Sequence, residues 1–237
     1  MKVDILTLFP GVFENVLNGS MLKIAQKKGK VTVKVHDLRK WTSDKHRTAD
    51  DRPFGGGAGM VMKVGPIHAA LVSMLGERKV KKLSSEGMIA GDVKIILLTP
   101  RGLRFNQETA KRFAKAKRII LVCGHYEGID ERVRTFVTDE ISIGDYVMTG
   151  GEIPAMVIVD AVTRLLPGVL GSRASLECES FENNLLEYPQ YTRPRNFAGM
   201  KVPEVLLGGN HGAIKRWREK ESLRRTKEIK GGLPWKK

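Results

Sequence analysis

KIILLTP (residues 94–100) and RIILVCG (residues 118–124) decide how this chain folds. Each is apolar at nearly every position for the length of one strand. Strict alternation would mark a sheet with one wet face. Continuous apolar runs suit strands covered on both faces, the situation of parallel strands inside an α/β layer. Working outward, Val3 to Phe9 is a third apolar run, and Val31, Val33 and Val35 alternate with polar residues as a fourth strand. Helical segments lie between them. Pro66 to Leu75 has proline in its first turn and Gly76 at its end. Asn106 caps a helix from Gln107 to Lys117 whose last turn is basic, matching the helix dipole. Asp130 to Phe136 is a shorter piece. Pro154 starts AMVIVDAVTRLL, with Met156, Val159, Val162 and Leu166 at helical spacing, and Pro167 stops it.

Periodicity is lost over residues 168–185, GVLGSRASLECESFENNL, which reads as a loop between two domains. The expected organisation is therefore an α/β domain over 1–167, a linker over 168–185, and a small helical domain over 186–237. Pro189, Pro194 and Pro203 divide the last part into short pieces, and a basic helix is expected from about Gly212 to Lys227. Residues 212–237 hold ten Lys/Arg against three Glu. The whole chain of 237 residues carries 41 Lys/Arg against 26 acids, a net +15, so a polyanionic partner, above all nucleic acid, is expected.

Several classes are disfavoured. No run approaches the roughly 18 apolar residues of a membrane span. The N-terminus meets Asp4 at once and shows no secretory pattern. Cys123 and Cys178 form neither a disulfide framework nor a zinc spacing, and suit a reducing, cytoplasmic setting. There is no GxxxxGK[ST], no completed GxGxxG, no HExxH and no GxSxG. His36, His46, His68, His125 and His211 are scattered, so no metal site is assigned. What remains is a set of glycine-rich loops following the strands: Thr99 to Gly102, Gly124 to Gly128, and Ile143 to Gly151, with a further cluster at Gly55 to Gly59. In parallel α/β sheets ligands sit in crevices outside the carboxyl ends of strands, so the three strand-end loops form a candidate small-molecule site.

Six stretches carry a resemblance: DDRPFGGGAGMVM (50–62), LLTPRG (97–102), LVCGHYEGIDERV (121–133), EISIGDYVMTGGEIPAMVIVDAVTRLLPGVLG (140–171), LLEYPQYTRP (185–194) and VPEVLLGGNH (202–211). In this order, over nearly the whole chain, the sequence resembles the bacterial tRNA (guanine-N1)-methyltransferases. That resemblance implies the SPOUT α/β fold, a parallel sheet with a C-terminal trefoil knot, plus a small helical tRNA-binding C-terminal domain. It also implies a homodimer with active sites built from both subunits, and methyl transfer from S-adenosylmethionine to N1 of guanine 37 of tRNA. Its donor pocket falls on Leu98, Thr99 and Pro100; on Gly124, Tyr126, Glu127 and Gly128; and on Ile143, Gly144, Asp145, Tyr146, Val147, Met148, Gly150 and Gly151. His125 stands where arginine is common in the family.

The catalytic acid of the family's interdomain loop falls on Glu179, with Glu177 two residues away as the alternative, and the catalytic arginine falls on Arg164. Guanine N1 is protonated at neutral pH, so a carboxylate that removes this proton and a cation facing the charge that grows on O6 suit the reaction. Lys215, Arg216 and Arg218 in the basic helix are expected to meet tRNA phosphates, while Trp217 between them either stacks on a base or, the favoured reading, packs its helix against its own domain. The resemblance suggests that Mg²⁺ assists, without a ligand set. Asp50, Asp51 and Arg52 lie in a family motif without an assigned role.

Overall fold

The computed structural model describes residues 1–86, 92–170, 179–181 and 184–232. They divide into two compact units, Met1–Leu170 and Gly171–Lys237.

The first unit is built on strands β1 (Lys2–Thr7), β2 (Thr32–Asp37), β5 (Val93–Arg104), β6 (Arg118–Cys123) and β7 (Asp139–Ser142). They form one sheet in the order β2-β1-β6-β5-β7, every pair parallel. The two runs that decide the fold are thus neighbours near the middle of the sheet, where both faces must be apolar. Successive residues divide between the faces. Ile96, Leu98, Ile119, Leu121 and Cys123 enter one core cluster, and Ile95, Leu97, Ile120 and Val122 the other. Helices α1 (Glu14–Leu17), α2 (Ser20–Lys27), α5 (Gln107–Ala114) and α6 (Glu152–Thr163) supply Leu17, Leu22, Ala25, Phe113, Ile158 and Val162 to the first cluster. Helices α3 (Val64–Leu75) and α4 (Glu77–Glu86) supply Ile67, Leu71, Val80 and Leu83 to the second. A short hairpin, β3 (Asp50–Asp51) with β4 (Val61–Met62), precedes α3.

Local signals act as physics requires. Asn106 Oδ1 accepts the Thr109 N–H at 2.9 Å, closing the N-terminus of α5. Gly76, at φ +87°, ends α3. Helix α5 stops at Ala114, three residues short of the expected Lys117, because the N–H groups of Lys117 and Arg118 turn to Asp92 O and feed β6. Pro154 lies in the first turn of α6, where its missing N–H costs nothing. The piece at 131–136 is a 3-10 turn, Glu131–Phe136, capped by Asp130 Oδ1.

The second unit contains the hairpin β8 (Asn196–Phe197) with β9 (Met200–Lys201) and a long helix α7 (His211–Gly232), which begins one residue before the expected start and runs past the expected end. Ser222 and Thr226, one turn apart and buried, fasten the preceding segment along this helix. Thr226 Oγ1 accepts the Leu186 N–H at 2.8 Å, and Ser222 Oγ donates to Leu186 O at 2.5 Å. Trp217 is half-buried with its ring 6.3 Å from that of Tyr191, in line with the packing role expected of it. Among the described residues no helix is long and apolar enough to cross a membrane.

Candidate active site

A cavity of about 490 Å³ opens at the carboxyl ends of β5, β6 and β7. Pockets of this size accommodate nucleoside-sized ligands. The three expected segments line it together: Leu98, Thr99 and Pro100, which lie within β5 at its break in register with β7 rather than in the expected loop after the strand; Gly124, Tyr126, Glu127 and Gly128; Ile143, Gly144, Tyr146, Val147, Met148, Gly150 and Gly151. Asp145 is the exception among the expected residues. It is absent from the wall, and its carboxylate accepts from Arg104 on β5. Sequence reasoning did not single out Val61, Arg101, Ile129, Ser142 and Pro154, which also border the cavity. Their only advance signal was proximity in sequence to the glycine motifs.

Backbone proximity shapes the walls. The Gly151 N–H donates to Gly124 O at 2.8 Å, and His125 forms a bridge with Gly150, so the loop after β6 and the turn before α6 are tied together. A Cβ on Gly151 would lie 2.7 Å from Cys123 Cα and 2.9 Å from Gly124 N. A Cβ on Gly102 would lie 2.4 Å from Ile141 N, where β5 crosses closest to β7. Both neighbours are main chain and cannot swing aside. Within the third loop, Ser142 Oγ donates to Gly144 O at 2.9 Å, and Tyr146 Oη donates to Ile143 O at 3.3 Å.

The hairpin carrying Asp50, Asp51 and Arg52 abuts the second loop. The Glu127 N–H donates to Met60 O at 3.1 Å, and the Met62 N–H to Gly128 O at 3.0 Å. Asp51 pairs with Lys63 at 3.3 Å, and the Arg52 N–H and the Lys63 ammonium hold its carboxyl below the usual range. Asp50 and Asp51 thus have a structural part: they pair with Met62 and Val61 in the strand that meets the Glu127–Gly128 turn. Gly59 allows the closeness, since a Cβ there would meet the Glu127 side chain at 2.4 Å.

The chain as a whole matches one family, described as tRNA (Guanine-1)-methyltransferase TrmD, over residues 1–234. The chain belongs to this family. Proteins named tRNA (guanine-N(1)-)-methyltransferase are similar to it throughout. The one from Dictyoglomus turgidum is 56% identical over 226 residues, 95% of this chain and 86% of the relative. That from Geobacillus kaustophilus is 56% identical over 229 residues, 95% and 88% of the two chains. That from Citrifermentans bemidjiense is 54% identical over 242 residues, 100% and 92%.

The residues expected to act on the acceptor are divided between the two units of this methyltransferase-family chain. Arg164 is the half-buried C-cap of α6 in the first unit, its N–H donating to Asp160 O at 3.2 Å. Glu179 belongs to the second unit and is half-buried. Its neighbour Ser180 accepts the Glu187 N–H at 3.0 Å, anchoring this end of the loop. Glu177 and Cys178 lie outside the described residues, as does most of the expected linker. Lys215, Arg216 and Arg218 are exposed on α7, and the Arg218 guanidinium stacks over the Tyr188 ring at 4.7 Å. Among the described residues no three His, Cys, Asp or Glu side chains are grouped to hold a metal ion.

Proposed function

We propose that this protein transfers the methyl group of S-adenosylmethionine to N1 of guanine 37 in tRNA, giving 1-methylguanosine. The observation that carries the reading is the convergence of the irregular stretch of β5 and the loops after β6 and β7 on one cavity, in a chain that matches the methyltransferase family from residue 1 to residue 234. The lining suits the donor. Apolar Leu98, Ile143, Val147 and Met148 can cover an adenine, while Gly124, Gly150 and Gly151 leave main-chain groups uncovered by side chains at the rim. When bound, the donor supplies an electrophilic methyl.

The rest is work for the chain's own residues. Glu179 accepts the N1 proton, so that the nitrogen lone pair can attack. The Arg164 guanidinium faces the negative charge that grows on O6, or orients the acid. Exposed Lys215, Arg216 and Arg218 hold phosphates and position the anticodon stem. A homodimer with composite sites is part of this proposal. Its support is an exposed apolar face formed by Val12 and Val16 with Ile153 and Val157 of α6, which a second copy of the chain would cover. The trefoil knot belongs here too. It is supported by the return of the 143–151 segment to Cys123 and Gly124 before α6 packs under β1 and β6. A tRNA substrate implies a cytoplasmic setting.

Incubation with unmodified tRNA and the methyl donor, followed by nucleoside mass spectrometry, tests the reaction. The expected product is 1-methylguanosine, lost when guanine 37 is replaced. A ribose-methylated nucleoside, or no product, would overturn the assignment.

A further inference from the structure

A buried polar chain lies at the back of the donor cavity, and the reaction scheme leaves it unused. The Phe9 N–H donates to Thr7 Oγ1 at 2.9 Å, and Thr7 Oγ1 donates to Glu152 Oε1 at 2.6 Å. Thr7 is fully buried, and Glu152 is 6% exposed. The second carboxylate oxygen, Oε2, is 4.0 Å from Nδ1 of His125, a residue that lines the cavity. That nitrogen is buried and has no hydrogen-bond partner among the described residues. Both omissions are costly. A buried polar nitrogen without a partner has given up its bond to water for nothing, and a buried carboxylate wants a compensating charge.

We propose that His125 is a positioning residue, which on protonation closes onto Glu152 and thereby draws the Gly124–Gly128 loop against the Gly150–Gly151 turn, preorganising the donor pocket. The inference rests on the donor-site reading above. The geometry permits the closure. His125 already bridges Gly150 in the backbone, and a Cβ on Gly150 would lie 2.3 Å from Glu152 Oε2 and 2.6 Å from His125 Nδ1, so glycine keeps the path between them clear. The ring is held in place, 4.7 Å from the Phe9 ring and edge-on to Tyr126 at 4.9 Å, so a small shift of Nδ1 suffices.

The charged and titratable groups around the ring are few. On α6 there is Glu152. On β6 there is the Cys123 thiol, pushed well up by burial and also by the Glu152 charge. Tyr126 and Glu127 lie on the same loop, and the Arg39 guanidinium lies 5.8 Å from the centre of the Phe9 ring. Of these side chains, imidazole is the kind whose charge ordinarily changes between about pH 5 and pH 8. The cation is the form that satisfies both His125 and Glu152. Lowering the pH should therefore strengthen donor-site binding, and binding should take up protons.

Titration calorimetry of the full chain with S-adenosylhomocysteine tests this, since the probe lacks the sulfonium charge and carries no group titrating near neutrality. Affinity is expected to rise about tenfold from about pH 8 to about pH 5.5, within the usual range of coupling energies. Fractional proton uptake should appear as a dependence of the heat on buffer ionisation enthalpy. Glu152→Gln and His125→Gln should bind more weakly with no pH slope and no proton uptake. His125→Arg, a permanent cation, should restore tight binding without a slope. A flat wild-type profile with zero uptake would overturn the inference while leaving the donor site standing, and this readout needs no variant to fold. Retention of the slope in both glutamine variants would overturn it as well. Failure of wild-type protein to bind the probe at all would overturn both readings.

Discussion

The sheet unit and the α7 unit use their polar residues in opposite ways. In residues 1–170 two carboxylates, those of Asp4 and Glu152, are buried. Asp4, 1% exposed, accepts from Arg118 at 2.8 Å and faces His36 at 2.8 Å. In the α7 unit the buried polar groups among the described residues are the hydroxyls of Ser222 and Thr226, which fasten chain to helix, while Lys215, Arg216 and Arg218 stay in water. The difference teaches where each half is vulnerable. A site made by main chain against main chain fails when one methyl is added. A surface made of solvated cations changes by degrees, with salt and with the number of charges.

The sharpest way to break the comparison is Gly144→Trp. Gly144 lines the cavity, and the atoms nearest to a Cβ there belong to the ring of exposed Tyr146, which can swing away. The indole should fill the pocket without unfolding the protein, leaving no calorimetric binding of S-adenosylhomocysteine. Unchanged affinity in a folded variant would place the donor elsewhere. Next comes Glu179→Gln, which keeps size but cannot accept a proton. Single-turnover methylation should slow by about 10²–10⁴-fold, the usual contribution of a general base, with donor affinity unchanged.

Gly102→Ala should cost about 3 kcal/mol in urea unfolding, the upper end of ordinary overpacking, because the new Cβ meets the Ile141 and Glu140 backbone. A change under about 0.5 kcal/mol, the scatter of ordinary surface substitutions, would show that β5 and β7 can part there. The smallest expected effect lies on the other side. Replacing Lys215, Arg216 and Arg218 with Gln should reduce the slope of log affinity for tRNA against log salt by about 2 to 3, because each phosphate left without its cation takes nearly one unit from the slope. Because Arg218 already stacks on Tyr188, restoring it alone should recover less of the slope than restoring Lys215.

The sequence was most legible where one force dominates. Strands β5 and β6 announce themselves because burial on both faces removes every polar residue from KIILL and IILVC beyond the leading lysine. Strand β7 escaped notice. Its four residues begin with Asp139 and Glu140, whose carboxylates are held by Arg112 at 2.7 Å and Arg134 at 2.6 Å, so pairing of distant charges stands in for apolar content. Helices α2 and α4 were also missed, since each buries only a narrow apolar stripe, Leu22 with Ala25 and Val80 with Leu83. For the site, the glycine loops could be read, but not the reason for each glycine. That Gly102 must lack a side chain follows from β5 lying between β6 and β7, an order no local pattern encodes. The family resemblance alone selected Asp145 as well, and its pairing with Arg104 depends on an approach across 41 residues.

The cavity wall runs from Leu97 to Pro154, with Val61 contributed from before it, and its halves are joined by the bond from Gly151 to Gly124 across two strand-to-loop transitions. No short fragment of the first unit contains the whole wall, so a donor held there as proposed would need the folded chain. Occupancy then becomes a measure of folding itself. A ligand that binds only the native state at 100 times its Kd adds about 2.7 kcal/mol of stability. In a cell with ample donor, the folded population would follow the metabolic supply of methyl groups. A variant weakened far from the cavity would be partly rescued by the same small molecule that serves the reaction.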